Sequence, residues 1–427
     1  MINLNSLRHT LIDGRTKGIP GTTAPFPLHE IGQKGWNVLA EDLPLPLMVL
    51  RRSALDHNAR VFGEYLTSHG LSFAPHGKTT MSPQIFDEQL HNGAWGMTAA
   101  TVNQVQVMRH YGVERILMAN QLLGKAHVAS VVEMLDADPA FDFMFFLDSA
   151  AQLDNIVRHL GETRPARPLK ALIEIGVAGG RTGLRTREEA LDLAEKLAAT
   201  DPSLVKFAGF ATFEGVIPGL ADNPMLVDEL AQFIVETAAA LPETLYAGLD
   251  EFILSGGGSS HFDIIADRFV TLELPIPVRV VLRSGCYVTN DEGSYKAAQD
   301  QAKADPRRSW KSDLEPALEA WAYVQSLPEP GLAFLSMGKR DVPYDSGLPK
   351  PIKRYRPGVG MLPVGTAEVF ATNDQHGYVR LGEDADWQIG DLVGSAVSHP
   401  CTAFDKWRLL PVVDDDYTVI DGMMTFF

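Results

Sequence analysis

From Leu71 onward, short apolar or β-rich runs ending in small or polar residues recur along the chain: Leu71–His76, Ala94–Ala99, Arg115–Asn120, Asp142–Asp148, Lys170–Val177, Lys206–Glu214, Glu251–Gly256 and Val278–Arg283. Between most of them lie segments with apolar residues three and four positions apart, as in Thr101–Tyr111, Ala150–Leu160, Glu188–Ala199 and Pro224–Ala240. That spacing is the period of an amphipathic helix. Regular strand–helix alternation implies parallel strands, because a parallel neighbour is reached only through a crossover. Eight such units within residues 71–283 predict an α/β fold, a (β/α)8 TIM barrel, whose usual length is about 250 residues. A doubly wound open sheet is the alternative. The stretch Gly-Val-Ala-Gly-Gly-Arg-Thr-Gly at 176–183 lacks the Gly-x-Gly-x-x-Gly spacing of a dinucleotide fingerprint, so the barrel is preferred.

After Arg283 the texture changes to loops rich in proline and glycine (328–331 and 343–357), followed by the short alternating runs Glu368–Thr372, Gly377–Leu381, Leu392–Val397 and Thr418–Ile420. These predict a mostly antiparallel β domain. The expected division is a proline-dotted segment 1–45 packing on the β domain, a barrel over 46–283 and the β domain over 284–427.

Composition narrows the possible functions. With 45% hydrophobic and 21% charged residues, the chain can bury a substantial core. A formal net charge of −17 argues against nucleic acid and anionic membrane surfaces as partners, since both require a basic footprint. Two cysteines, Cys286 and Cys401, are too few for a disulfide framework and suit a reducing compartment. The first twenty residues carry Arg8, Asp13, Arg15 and Lys17 among scattered apolar positions, without a signal-peptide core, and no apolar stretch approaches the ~20 residues a bilayer requires. A soluble cytoplasmic protein is expected.

In such a barrel the chemistry belongs at the C-terminal ends of the strands. The first strand runs out through Pro75-His76-Gly77-Lys78-Thr79-Thr80, which puts Lys78 just past a strand, either as a solvated loop residue or as an amine suited to imine chemistry. The seventh ends Gly256-Gly257-Gly258-Ser259, whose backbone amides can wrap an anion where barrels recurrently bind phosphate; a plain surface turn is the other reading. Arg181 could pair with a phenolate or carboxylate, or lie in a surface ion pair. In the β domain, His399 and Cys401 would share one face of an extended chain, and imidazole with thiolate is a borderline-soft pair favouring zinc. His376 is a third ligand, a proton donor or a turn residue. Cys286, at the barrel exit, reads as packing rather than as a nucleophile.

The ordered set Pro-His-Gly-Lys-Thr-Thr (75–80), Gly-Arg-Thr-Gly (180–183), Thr-Phe-Glu-Gly (212–215), Gly-Gly-Gly-Ser (256–259), Ser-Gly-Cys-Tyr (284–287), Gln-His-Gly (375–377) and His-Pro-Cys-Thr-x-Phe-Asp-Lys-Trp (399–407) resembles the D-serine dehydratase and D-threonine aldolase family. The resemblance runs from about residue 40 to 415. It implies a fold-type III pyridoxal phosphate enzyme, an alanine-racemase-like barrel joined to a β domain, usually dimeric, with a divalent metal near the cofactor. Carried over, it makes Lys78 the Schiff-base lysine, and Gly257, Gly258 and Ser259 the phosphate binders. Arg181 would meet the cofactor's phenolic oxygen, Thr212 would join the cofactor set, and Tyr287 would lie near phosphate or substrate. His399 and Cys401 would be the metal ligands. Two departures stand out: the family's aromatic-Glu-Gly-His turn is Phe213-Glu214-Gly215-Val216 here, and its Glu-His-Gly is Gln375-His376-Gly377. Within the family, His-x-Cys resembles the zinc-dependent D-serine dehydratases, whereas the aldolases typically show His-x-Asp. The expected activity is therefore conversion of D-serine, or a related β-hydroxy D-amino acid, to pyruvate or the matching keto acid and ammonia. A D-threonine-type aldolase, an amino-acid racemase and a cofactor-carrying binding protein are the alternatives.

Overall fold

The computed structural model describes residues 2–220, 223–246 and 248–427. Eight parallel strands form one sheet: Ser72–Phe73, Met97–Ala99, Arg115–Gln121, Asp142–Leu147, Leu169–Glu174, Val205–Ala211, Phe252–Gly256 and Val278–Leu282. Each pairs with its sequence neighbour, and the eighth returns to the first through Val281–Ser72 and Leu282–Phe73. The first and second meet through a His76–Thr98 bridge, where the Thr98 amide donates to the Pro75 carbonyl at 2.9 Å. The ring closes, so an open doubly wound sheet is excluded.

Closure explains why the strands read as nearly unbroken apolar runs, since both faces are covered. Along Asp142–Leu147, Met144 and Phe146 point into the barrel with Leu117, Leu172, Ile253 and Val281, while Phe143 and Phe145 join the layer beneath the helices. The helices start where local chemistry caps them. Thr101 and Ser149 each accept an amide of the following turn, and Thr186 with Glu189 makes a full capping box ahead of Arg187–Ala198.

The second domain is built around the long strand Leu318–Glu329, which pairs antiparallel with Leu392–Ala396 and Leu332–Leu335. The runs expected near 368, 377, 392 and 418 form Ala367–Thr372, Gly377–Leu381, Leu392–Ala396 and Val419–Met424. Leu47–Arg51, assigned from sequence to the barrel, instead pairs with Leu318–Trp321 and with Val412–Val413. It is thus a strand of the β-domain sheet that leads directly into barrel helix Arg52–Ser68. The segment before it lies on the same domain: Asn37 bridges Thr418, and a Cβ on Gly32 would stand 2.3 Å from the Ile420 carbonyl oxygen. Its start also touches the barrel, the Asn3 amide donating to the Tyr111 carbonyl at 2.7 Å. No described helix is long and apolar enough to cross a membrane.

One buried ion pair fixes the helix that follows the glycine loop. Asp263, in the first turn of Phe262–Phe269, receives two hydrogen bonds from Arg308, the Nε one at 2.7 Å, and both side chains are buried. Asp263→Ala would strand the guanidinium in the interior. It is expected to cost about 3–5 kcal/mol, read by denaturant unfolding.

Candidate active site and metal centre

The first barrel strand gives way to a single 3-10 turn, Gly77–Thr79. Gly77 lets Met108 and Phe86 pack closely against the turn, since a Cβ would push Met108 Cε aside and lie 3.0 Å from Phe86. Lys78 sits in this turn, half-buried. Beside it, His76 is held by its amide to the Arg283 carbonyl at 3.2 Å, and its buried Nδ1 has no protein partner. Burial and the nearby charges of Lys78, Arg283 and Arg181 hold the His76 imidazole neutral, well below its usual range. These three cations therefore share the barrel mouth.

Arg283 was not singled out in the sequence. Its guanidinium is buried at the end of the eighth strand, donating to Ser255 Oγ at 2.8 Å and to the Thr212 carbonyl, with Phe146 beneath it at 5.2 Å. Burial lowers its pKa to about 10, against the pull of Glu214 and Glu174. Those two carboxyls are themselves buried and shifted upward by desolvation. Arg181 is exposed and rests its guanidinium 5.0 Å from the Phe213 ring. Thr212 is buried, with its hydroxyl donating to the Ile175 carbonyl at 2.7 Å, so its proton is spent inside the barrel wall.

The glycine loop follows the seventh strand at the same end of the barrel. Gly257 has a positive φ of 80°, and a Cβ on Gly258 would approach Phe213 to 2.9 Å and Glu214 Oε1 to 3.1 Å. Ser284 Oγ donates to the Gly257 and Gly258 carbonyls at 3.2 and 3.1 Å, and Ser259 Oγ accepts the Cys286 amide at 3.1 Å. The Gly258 amide donates to Oε1 of the buried Glu214, a bond that a phosphate oxygen would replace. With the N-terminus of helix Phe262–Phe269 just beyond, these residues fit a phosphate. Tyr287 departs from expectation. Its ring packs on Phe62 at 4.6 Å and Phe73 at 5.1 Å in the aromatic core under helix Arg52–Ser68, because the turn Cys286–Val288 aims it inward rather than at the glycine loop.

The His-x-Cys motif is not extended as the sequence suggested. Pro400 is helical (φ −56°, ψ −38°) and begins the one-turn helix Cys401–Phe404, so a turn, not strand alternation, sets the two side chains together. His399 Nδ1 lies 2.6 Å from Asp345 Oδ2, and Thr402 Oγ1 donates to Asp345 Oδ1 at 2.7 Å. The neighbouring Cys401 and Asp345 together raise the His399 pKa to about 9. Cys401 is drawn well below the usual thiol range by its hydrogen bonds to Cys286 and His399. Its Sγ lies 3.4 Å from Thr79 Oγ1 and 3.3 Å from Cys286 Sγ. Because Thr79 follows Lys78, the thiolate and imidazole stand beside the lysine turn.

The donor chemistry, a soft thiolate and an imidazole whose other nitrogen is fixed by a carboxylate, fits a zinc ion. Among the described residues no three His, Cys, Asp or Glu side chains gather into a ready cage. His376 is exposed on the turn before Gly377–Leu381, where its carbonyl accepts the Asn373 amide at 2.9 Å. It therefore completes no three-donor cluster with His399 and Cys401. Sequence reading missed Asp345, which is 54 positions from His399, and the company of Cys286, which is 115 positions from Cys401. No local motif marks either.

Comparison with known proteins matches two sequence families to this chain: "Alanine racemase, N-terminal domain" over residues 50–262 and "Putative serine dehydratase domain" over residues 317–413. A 3-hydroxy-D-aspartate aldolase of Paracoccus denitrificans (strain Pd 1222) is 24% identical over 310 residues, 72% of this chain and 75% of that protein. A D-threonine aldolase of Arthrobacter sp is 24% identical over 376 residues, 87% of this chain and 89% of that protein. Among solved structures, D-threo-3-hydroxyaspartate dehydratase from Delftia sp. HT23 superposes with a TM-score of 0.69 at 18% identity, covering 91% of this chain and 99% of that one. These relatives are lyases acting on small amino acids. With both family segments matched in order on a closed barrel and an antiparallel sheet, the chain belongs to the D-serine dehydratase-like family of fold-type III pyridoxal phosphate enzymes.

Proposed function

We propose that this protein dehydrates D-serine, or a related β-hydroxy D-amino acid, to pyruvate or the corresponding keto acid and ammonia. The observation that carries the reading is the Cys401 thiolate and His399 imidazole packed through Thr79 against the turn of Lys78. Pyridoxal phosphate, when bound, supplies an aldehyde for amines and an electron sink for the pair left by Cα–H cleavage. His399 and Cys401 would hold a zinc ion, which would supply Lewis acidity for the β-hydroxyl, a leaving group otherwise too basic.

The chain's own groups do the rest. Lys78 would hold the cofactor and would take the Cα proton of the bound substrate. The loop Gly257–Ser259 would hold the phosphate, the Gly258 amide exchanging Glu214 Oε1 for a phosphate oxygen, and Arg181 would offer its guanidinium to the phenolic oxygen. Asp345 fixes the His399 ring, so that Nε2 is the nitrogen presented to the ion. Overall one water leaves the substrate and one is taken back as ammonia is released, which balances D-serine against pyruvate and ammonia.

The Delftia dehydratase gives the reading further support. D-threo-3-hydroxyaspartate dehydratase is also solved with a histidine substituted and, in a metal-free form, with a cysteine two positions later substituted, the same spacing as His399 and Cys401. The aldolase reading rests on the names of three sequence relatives and of a solved D-threonine aldolase from Filomicrobium marinum, which superposes with a TM-score of 0.72. Product analysis on D-serine, D-threonine and 3-hydroxy-D-aspartate separates the two. Keto acid with equimolar ammonia is expected, whereas glycine with an aldehyde would overturn the dehydratase assignment. Asp345→Asn, which weakens the carboxylate behind His399, is expected to lower zinc affinity by about 10–100-fold in a chelator competition.

A further inference from the structure

We infer that Cys286 is a third protein ligand of the same metal ion, so that Cys286, Cys401 and His399 make a Cys2His site with one position open; this rests on the metal-bearing reading above. The chain's two cysteines come from distant segments, yet their sulfurs stand 3.3 Å apart. A disulfide would require about 2.05 Å. Two thiolates on one zinc, each bonded at about 2.3 Å, stand roughly 3.8 Å apart. The observed separation is within about half an ångström of the shared-ion value.

The surroundings of Cys286 are those of a ligand rather than of a packing thiol. Thr79 Oγ1 lies 3.8 Å from its sulfur and 3.4 Å from that of Cys401, so one hydroxyl addresses both. The Cys286 Sγ lies 3.3 Å from the Tyr295 hydroxyl, to which it donates when protonated. The backbone is fixed as well: the Cys286 amide is tied to Ser259 Oγ, and Gly285 before it has no room for a Cβ, with the His76 carbonyl oxygen 2.6 Å away. Asp345 plays the matching outer role at His399. Among the described residues the three donors do not form a ready cage, so binding an ion through all of them requires His399 and Cys286 to close on Cys401. Three protein ligands with an open position is the pattern of catalytic zinc sites, Cys2His among them.

The test is cobalt(II) substitution of the holoenzyme, read by the thiolate-to-cobalt charge-transfer absorption, with zinc affinity measured by chelator competition. The native band is expected to be about twice that of Cys286→Ser, and the variant's zinc affinity at least about tenfold lower. Equal bands and equal affinities would overturn the inference while leaving a one-thiolate metal site intact. No thiolate band in either protein would overturn the metal-bearing reading itself. If Cys286→Ser fails to fold, zinc-edge X-ray absorption of the unaltered holoenzyme decides: two sulfurs in the first shell support the inference, and one overturns it.

Discussion

Lys78→Ala is expected to abolish turnover, lowering kcat by at least about 10⁴-fold, because one amine both anchors the cofactor and moves the Cα proton. The turn Gly77–Thr79 holds it at the first strand's end, next to His76 and at the same end of the barrel as the glycine loop. The fold should survive, since Lys78 is half-buried and makes no ion pair among the described residues. Borohydride reduction of the native holoenzyme followed by peptide mapping checks the assignment directly. Label on the peptide of Lys78 is expected; label on Lys339 or Lys406 would contradict it.

Cys401→Ala is expected to lower elimination by roughly a hundredfold or more, equivalent to several kcal/mol of lost Lewis-acid stabilisation. Cofactor binding should persist, because Lys78 and the glycine loop anchor it on the barrel, whereas Cys401 belongs to the β domain. The variant should therefore stay yellow while losing its bound metal and its product formation. Cys401→Asp exchanges a soft donor for a hard one and should shift the preference from zinc toward manganese.

The barrel was legible because each parallel strand is covered on both faces and reads as a single apolar run, as Asp142–Leu147 does. The strand Leu47–Arg51 was not, since nothing local tells an apolar run of one domain from that of another; only its pairing with Leu318–Trp321 assigns it. The spine Leu318–Glu329 escaped notice for a related reason. Its first half is buried and its second half is a bulged, partly exposed ribbon, so no single alternation runs through it. In the site, Lys78 and the glycine run could be read because each is a short motif at a strand end. Asp345, Arg283 and Cys286 are brought in by tertiary packing, and Tyr287, adjacent to Cys286, turns into the core where family likeness had put it at the cofactor.

The account stands most directly on pyruvate formation from D-serine by holoenzyme stripped of metal and then given zinc. It predicts that the stripped enzyme keeps its cofactor yet forms pyruvate and ammonia at a small fraction of the native rate, and that stoichiometric zinc restores both. Full pyruvate formation without metal, or restored activity that yields glycine and formaldehyde instead, would contradict it.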